Sequence, residues 1–245
     1  MDAFDPRLYA LLHTGNPGDL AFYRRQCQGA GSILELGCGD GRVLATLERT
    51  GARLTGIDLH PGMCALASAR VPSAEILLAD MRHFDLQRRF DRVVLAYNSL
   101  YCVANDAEVV QVLRRVRAHL AEGGKVLFDG YVVDMEPADL TDDSSPEWLA
   151  DLELDGQRIE VHEQDQHWPA TRDCAVTYLH HRPDHTTHSY TLRHHYLTAA
   201  LLPELLAQAD LRLVHLYSDF RGRSNPDAER LVVVAEAASE GGSPN

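Results

Sequence analysis

Three acidic side chains stand in or just after three short apolar runs. Glu35 lies inside Ser32–Leu36, Asp58 follows Arg53–Ile57, and Asp80 follows Glu75–Ala79. The first run leads directly into Gly37-Cys38-Gly39-Asp40-Gly41. Glycine lets a backbone turn tightly there and lets a ligand approach with no Cβ in the way. A glycine-rich turn alone is ambiguous, because dinucleotide sites also use one. The carboxylates narrow the choice. If the runs are parallel strands, their carboxyl ends share one edge, where open α/β sheets bind ligands. Three carboxylates on that rim repel a pyrophosphate, but they offer acceptors to a ligand with cationic groups, a ribose and an exocyclic amine. The spacing is G-x-G-x-G, whereas the nicotinamide fingerprint G-x-G-x-x-G would need glycine where Arg42 stands.

Histidine supplies most of the remaining titratable chemistry. Of the thirteen histidines, eight fall between His162 and His195. The pair His194-His195, beside Tyr196, could act as a base or touch a substrate. The competing reading is a row of surface histidines on a polar sheet face. No His-x-x-x-His falls on a helical segment, so a metal centre is not expected. Tyr9, His13 and Tyr23 flank Asn16-Pro17-Gly18-Asp19 ahead of the first strand. Tyr101, and Asp219-Phe220-Arg221 further on, fall at the same strand ends.

These side chains need a frame to hold them. Ser32–Leu36, Arg53–Ile57, Glu75–Ala79, Arg92–Ala96 and Lys125–Phe128 are nearly continuous in Val, Ile and Leu. Continuous apolar strands belong to a parallel sheet covered on both faces. Helical stretches separate them. In the clearest, from Asp106 to Leu120, Val109, Leu113, Val116 and Leu120 make one apolar stripe. Asn105 or Asp106 can cap its start, and Gly123-Gly124 is expected to end it. From Tyr131 to Tyr196 the chain turns polar, and Arg158–His162, Cys174–Leu179 and Thr187–Leu197 alternate as antiparallel strands do. Asp155-Gly156 and Pro183-Asp184-His185 are the expected turns. Thr198–Gln208 is helical, with Pro203 either in the first turn of a later start or at a kink. Leu211–Tyr217 and Leu231–Ala235 are the last strands. The expectation is an α/β fold. A Rossmann-like, seven-stranded, mostly parallel sheet carries helices on both faces, and an antiparallel β unit is inserted after the fifth strand.

Composition limits the partners. The 245 residues carry a net charge of -13, which disfavours nucleic acid. Arg88-Arg89 and Arg114-Arg115 are short surface pairs, and Lys125 is the sole lysine. No apolar run approaches the roughly 18 residues of a membrane span, and Met1–Pro6 lacks the features of a secretory signal. A cytoplasmic protein, monomer or homodimer, with a small-molecule substrate and no nucleic-acid or membrane partner is expected. The five cysteines show no Cys-x-x-Cys spacing, so they are expected to be reduced thiols.

Taken together, the motifs resemble those of class I S-adenosylmethionine-dependent methyltransferases of the small-molecule type. Leu34–Arg42 looks like their first motif, Gly56–Met63 the second and Leu78–Phe84 the third. Phe90–Val94 with Tyr97-Asn98-Ser99 resembles the fourth strand and its loop, and Leu120–Val126 the approach to the fifth. The resemblance implies a core over 31–130, with the final helix and strands over 197–236. It also implies a helical N-terminal lid over 1–30 and a β insertion over 131–196 covering the substrate, while the small, polar composition of 237–245 predicts a frayed tail. The cofactor would be S-adenosyl-L-methionine, leaving as S-adenosyl-L-homocysteine. Gly37, Cys38 and Gly39 would lie against its methionine part, with Glu35 near the ammonium. Asp58 would accept the ribose hydroxyls beside Leu59. Met63 would pack on adenine, unless it is ordinary helix packing. Asp80 would accept the adenine amine, with the Met81 amide beside it, and Tyr97 would lead toward the substrate.

The implied reaction is an in-line displacement that moves a methyl group to nitrogen or oxygen of a small molecule. Holding the reactants in line can account for roughly 7–11 kcal/mol of barrier. A general base is needed only if the nucleophile must lose a proton. Tyr9, Asn98, Tyr101 and His195 are the substrate-side candidates, with His195 and Tyr101 the candidate catalytic residues. A catalytically silent homologue that only binds cofactor is an alternative reading, as is an NAD(P)-dependent oxidoreductase.

Overall fold

The computed structural model describes residues 4–133, 145–225 and 229–238. In chain order the α-helices are α1 (Pro6–Leu12), α2 (Asp19–Gln26), α3 (Arg42–Leu47), α4 (Pro61–Arg70), α5 (Asp106–His119) and α6 (Leu202–Ala207). The strands are β1 (Ser32–Leu36), β2 (Arg53–Asp58), β3 (Glu75–Leu78), β4 (Phe90–Leu95), β5 (Leu120–Tyr131), β6 (Glu147–Leu154), β7 (Gln157–Trp168), β8 (Asp173–His181), β9 (Thr187–His195), β10 (Leu211–Tyr217) and β11 (Arg230–Ala237).

Seven strands form one sheet in the order β10-β11-β5-β4-β1-β2-β3. Its β1–β5 pairings are parallel, and β11 runs antiparallel to both β5 and β10. The expected mostly parallel sheet is therefore present. The chain leaves β1 toward β2 and β3, then crosses back to β4 on the other side. That reversal opens a crevice at the carboxyl ends of β1 and β4, where the glycine loop sits. Every residue of β1 is buried, and its side chains alternate between two cores. Leu34 and Leu36 join Val109, Leu113 and Val116 of α5. Ile33 joins Phe22 and Tyr23 of α2 and Val43, Leu44 and Leu47 of α3.

The second sheet, β6-β7-β8-β9, is antiparallel throughout. Its strand β6 was not expected from the sequence. A register shift between Trp148 and Ala150 interrupts the alternation that would have marked it. Helix α1 packs on this sheet through Leu8, against Ile159, Val161, Tyr178 and Tyr190, and Arg7 pairs with Asp155 at 2.9 Å. The N-terminal helix and the inserted sheet thus form one cover.

One local expectation changes and two open alternatives are resolved. Helix α5 ends at His119, not at the glycines, because the buried His119 ring turns back to the Arg115 carbonyl (2.7 Å) and accepts the Leu86 amide (3.0 Å). Gly123 and Gly124 then lie within β5. Between Phe90↔Leu120 and Arg92↔Lys125 the β5 side is longer, and Gly123 absorbs the excess at φ +69°. Asn105, not Asp106, caps α5 by accepting the Glu108 amide at 3.0 Å. Pro203 sits in the first turn of a helix that starts at Leu202. Of the expected frayed tail, Ala237 belongs to β11 and the Ala238 amide donates to the Asp210 carbonyl at 2.9 Å, while 239–245, and 134–144 of the insertion, lie outside the described residues. No described helix is long and apolar enough to cross a membrane.

One buried carboxylate joins helix α2 to the turn after β4. Asp129 of β5, 1% exposed, accepts the Tyr23 hydroxyl of α2 and the Tyr97 amide, the latter at 2.8 Å. Burial pushes its carboxyl up to about 6, despite both hydrogen bonds and nearby Arg230. A carboxyl raised above its ordinary value of about 4 keeps its proton longer in the folded state than in the unfolded one. Its contribution to stability is therefore greatest below pH ~4 and falls as pH rises toward 6. The difference is roughly 3 kcal/mol. Asp129→Asn carries no such charge. Urea unfolding at pH 4 and pH 7 should show the variant gaining roughly 3 kcal/mol relative to wild type across that interval; a constant difference would contradict the assignment.

Candidate active site

The glycine loop is built on left-handed backbone. Gly37, Gly39 and Gly41 have φ of +67°, +54° and +80°, a region that side chains with a Cβ rarely enter. At Gly37 a Cβ would also come within 2.9 Å of Ser99 Oγ, and at Gly41 within 3.1 Å of the Ala67 backbone. Asp58 closes the loop from below: one carboxylate oxygen accepts the Gly39 amide at 2.9 Å and the other the His60 amide at 2.8 Å. Each oxygen keeps a second lone pair for a ligand.

Across the crevice, Tyr97 and Asn98 are consecutive non-glycine residues at φ +55° and +63°. Such a pair persists only where its surroundings hold it. Asp129 supplies part of that support through the Tyr97 amide, and its own carbonyl accepts the Asn98 amide at 3.2 Å. The Asn98 side-chain oxygen accepts the Tyr131 amide at 3.1 Å. The turn places Tyr97 in the wall of a cavity of about 1060 Å³, which runs between the strand ends and the cover. Small-molecule sites occupy about 300–1,000 Å³, so this space admits a nucleoside-sized ligand and a second small molecule.

Gly37, Gly39, Asp58, Leu59, Met63, Asp80, Met81, Tyr97, Asn98 and Tyr9 all line the cavity. Leu59, which lines the cavity, is 68% exposed. Asp80 is already engaged. Arg82 donates to it from Nε and Nη2 (2.7 Å for the latter) and from its backbone amide, and this holds the Asp80 carboxyl down to about 2.

Glu35, Cys38, Tyr101 and His195 are not part of the cavity wall. The Cys38 side chain lies under Gly56. The Tyr101 ring packs against Gly130, and its hydroxyl donates to the Tyr131 carbonyl at 3.1 Å. His195 is 5% exposed, with Nδ1 2.8 Å from Asp173 and Nε2 3.1 Å from Asp106. Asp106 also receives Arg172, so this cluster fastens β8 and β9 to the start of α5. Successive strand residues face opposite ways, and in β9 the inward one of the pair is His194. Its Nδ1 is 3.0 Å from the Tyr131 hydroxyl, which lies 2.8 Å from Cys174 Sγ. His194, Tyr131 and Cys174 line the cavity in place of His195 and Tyr101.

Beneath the loop, several buried polar atoms have no partner among the described residues: Glu35 Oε2, Arg42 Nη1, Asn16 Nδ2 and Asp129 Oδ2. Glu35 is 2% exposed, and burial lifts its carboxyl well above the usual range, against the pull of Arg42 and the Leu44 amide. Arg42 Nη2 donates to Asp19 at 2.7 Å, and its guanidinium lies 5.8 Å from the Tyr97 ring centre. Gly15 allows this approach, since a Cβ there would strike the guanidinium. Unpaired buried donors and acceptors are costly unless a ligand or water completes them. An α-amino acid, with one ammonium and one carboxylate, is complementary to this mixed set. The residues therefore fit the methionine end of S-adenosylmethionine. Asp129, Arg42 and Asn16 were not expected as site residues. Asp129 ends the apolar run Val126–Phe128 as Asp58 and Asp80 end theirs, and that signal was available in the sequence.

Residues 33–124 match the family model described as a methyltransferase domain. The dTDP-3-amino-3,6-dideoxy-alpha-D-glucopyranose N,N-dimethyltransferase of Streptomyces fradiae is 34% identical over 151 residues, 58% of this chain and 56% of that protein. The chain spans about half the length of the curated relatives it matches. An S-adenosylmethionine-dependent methyltransferase from Clostridium acetobutylicum superposes with a TM-score of 0.77 at 14% identity, over 95% of this chain and 97% of that one. The sugar N-methyltransferase KedS8 from a Streptoalloteichus species gives 0.75 at 23% identity, over 94% and 92%. At these identities the superpositions establish the fold. The strand order, the glycine loop and the family match agree, and residues 33–124 of this chain are a methyltransferase domain of the class I, S-adenosylmethionine-dependent family.

Proposed function

We propose that this protein transfers a methyl group from S-adenosylmethionine to a small molecule bound under the cover, with an amino sugar or similar hydroxylated amine as the acceptor class. The observation that carries the reading is the set of unpartnered atoms Glu35 Oε2, Arg42 Nη1 and Asn16 Nδ2 beneath a glycine loop whose carboxylate, Asp58, keeps free lone pairs. The names of the Streptomyces relative and of the Streptoalloteichus structure, both sugar N-methyltransferases, support the acceptor class. The net charge of -13 supports a small molecule over nucleic acid.

When bound, the cofactor supplies an electrophilic methyl on a sulfonium, with a neutral thioether as leaving group. The protein's residues then have positioning tasks. Glu35 accepts from the ammonium, and Arg42 with Asn16 donates to the carboxylate. Asp58 accepts from the ribose hydroxyls. Leu59 and Met63 cover one face of the adenine, and the Met81 amide lies at its edge. Because Arg82 holds the Asp80 carboxylate, Asp80 meets the adenine amine through its remaining lone pairs or through the edge that Arg82 leaves open. Tyr9, Tyr97 and Asn98 bound the passage to the acceptor, and the cover excludes water from it. His195 keeps the cover seated, Tyr101 packs on β5, and neither touches a reactant.

The reading has two direct tests. S-adenosylhomocysteine at about 100 times its dissociation constant should stabilise the protein by ~2.7 kcal/mol in a thermal-shift titration. NADH and NADPH should leave the melting temperature unchanged, and stabilisation by the nicotinamides alone would refute the cofactor assignment. In calorimetry, Asp58→Ala should weaken S-adenosylhomocysteine binding roughly ten- to hundredfold, the worth of hydrogen bonds to a charged acceptor. Wild-type affinity in that variant would remove Asp58 from the ribose site.

A further inference from the structure

His13 closes α1 and faces the cavity. Three tyrosines confine its ring, with centroid distances of 4.1 Å to Tyr9, 5.1 Å to Tyr178 and 6.0 Å to Tyr97. Tyr97 is also the ring beside Arg42, so His13 stands where the cofactor end of the cavity meets the part under the cover. Its Nε2 is buried and has no hydrogen-bond partner among the described residues. A polar ring fixed in orientation, lining a cavity and left unpaired is a group that lacks its ligand.

We propose that His13 receives the methyl-accepting group, and that this group is a neutral primary or secondary amine whose N–H donates to Nε2. The inference rests on the methyltransferase reading above. Burial, and after it the neighbouring His194 and His180, push the His13 imidazole down to about 4. It is therefore neutral near pH 7 and free to accept. So weak a base cannot take the proton from a sugar hydroxyl, and a hydroxyl that keeps its proton is a poor nucleophile. A neutral amine needs no base. With one N–H committed to His13, its lone pair remains available. In the transfer the nitrogen pair forms the new N–C bond, the C–S bond breaks, and its electron pair stays on sulfur. The product leaves as an ammonium that carries every proton the amine brought. His13 thus orients the nucleophile and favours nitrogen over oxygen.

The test pairs two substitutions with two readouts. His13→Gln keeps an acceptor without the ring, and His13→Phe keeps the ring without an acceptor. Both should bind S-adenosylhomocysteine within about twofold of wild type by calorimetry. Methyl transfer is then measured with ethanolamine and 3-amino-3-deoxy-D-glucose, and with ethylene glycol and D-glucose as the matched alcohols. Wild type should methylate at least one amine and neither alcohol. On the amine that turns over, His13→Phe should raise KM and lower kcat/KM at least thirtyfold, and His13→Gln should recover a substantial part of that loss. In nitrogen-15 spectra of histidine-labelled protein, the same amine should shift the His13 imidazole signal, identified by its absence in His13→Gln. Wild-type kinetics in His13→Phe, an unmoved His13 signal at saturating amine, or methylation of an alcohol but no amine would each overturn the proposal. Silence on all four acceptors with S-adenosylhomocysteine still bound overturns the amine assignment alone. Failure to bind S-adenosylhomocysteine overturns the cofactor reading instead.

Discussion

A single buried carboxylate organises the site end of the molecule. Asp129 lies at the carboxyl end of β5, almost without solvent contact, and accepts the Tyr23 hydroxyl and the Tyr97 amide on one oxygen. Through Tyr23 it fixes α2, and with α2 the segment that carries Asn16 and Asp19 toward Arg42. Through Tyr97, and through its own carbonyl to Asn98, it holds a left-handed turn that would not persist alone. Burying a carboxylate is unfavourable unless hydrogen bonds compensate. The bonds that compensate here are those that position the cavity wall, so the same contacts serve folding and the site.

The cover shows a comparable economy. Helix α1 contributes Leu8 to the apolar face of the antiparallel sheet, which brings Tyr9 and His13 over the strand ends. The sheet is in turn fastened to α5 by His195, Asp106, Arg172 and Asp173. Tyr131 extends from the core strand to Cys174 and His194 on the cover. These seams enclose the cavity from two sides, while the glycine loop below is held by its backbone conformation, by Asp58, and by Asp40, which accepts the Arg42 amide and pairs with Arg70.

Much of this was legible in the sequence. The parallel strands declared themselves as continuous apolar runs, because both faces of the central sheet are covered. Glu35, Asp58 and Asp80 marked the rim, because parallel strands bring their carboxyl ends together. The facing of paired neighbours was not legible. His194 and His195 are equivalent until the register of β9 is known, and the same holds for Tyr101 beside Tyr131, whose roles depend on a glycine at position 130. Strand β6 was hidden by a register shift, and the end of α5 by a buried histidine that turned the chain before its glycines. Arg42 works through partners distant in the chain, and local pattern carries no record of such contacts, whereas Asp129 ends its apolar run as Asp58 and Asp80 do.

The unpartnered polar atoms under the glycine loop are complementary to an amino acid bearing a nucleoside. A crystal structure of the protein with S-adenosylhomocysteine tests it most directly. The amino-acid end should lie against Glu35, Arg42 and Asn16, the ribose on Asp58, and the adenine between Met63 and the Asp80-Met81 turn. A ligand bound elsewhere, or bound here with Glu35 and Arg42 still unpaired, would contradict it.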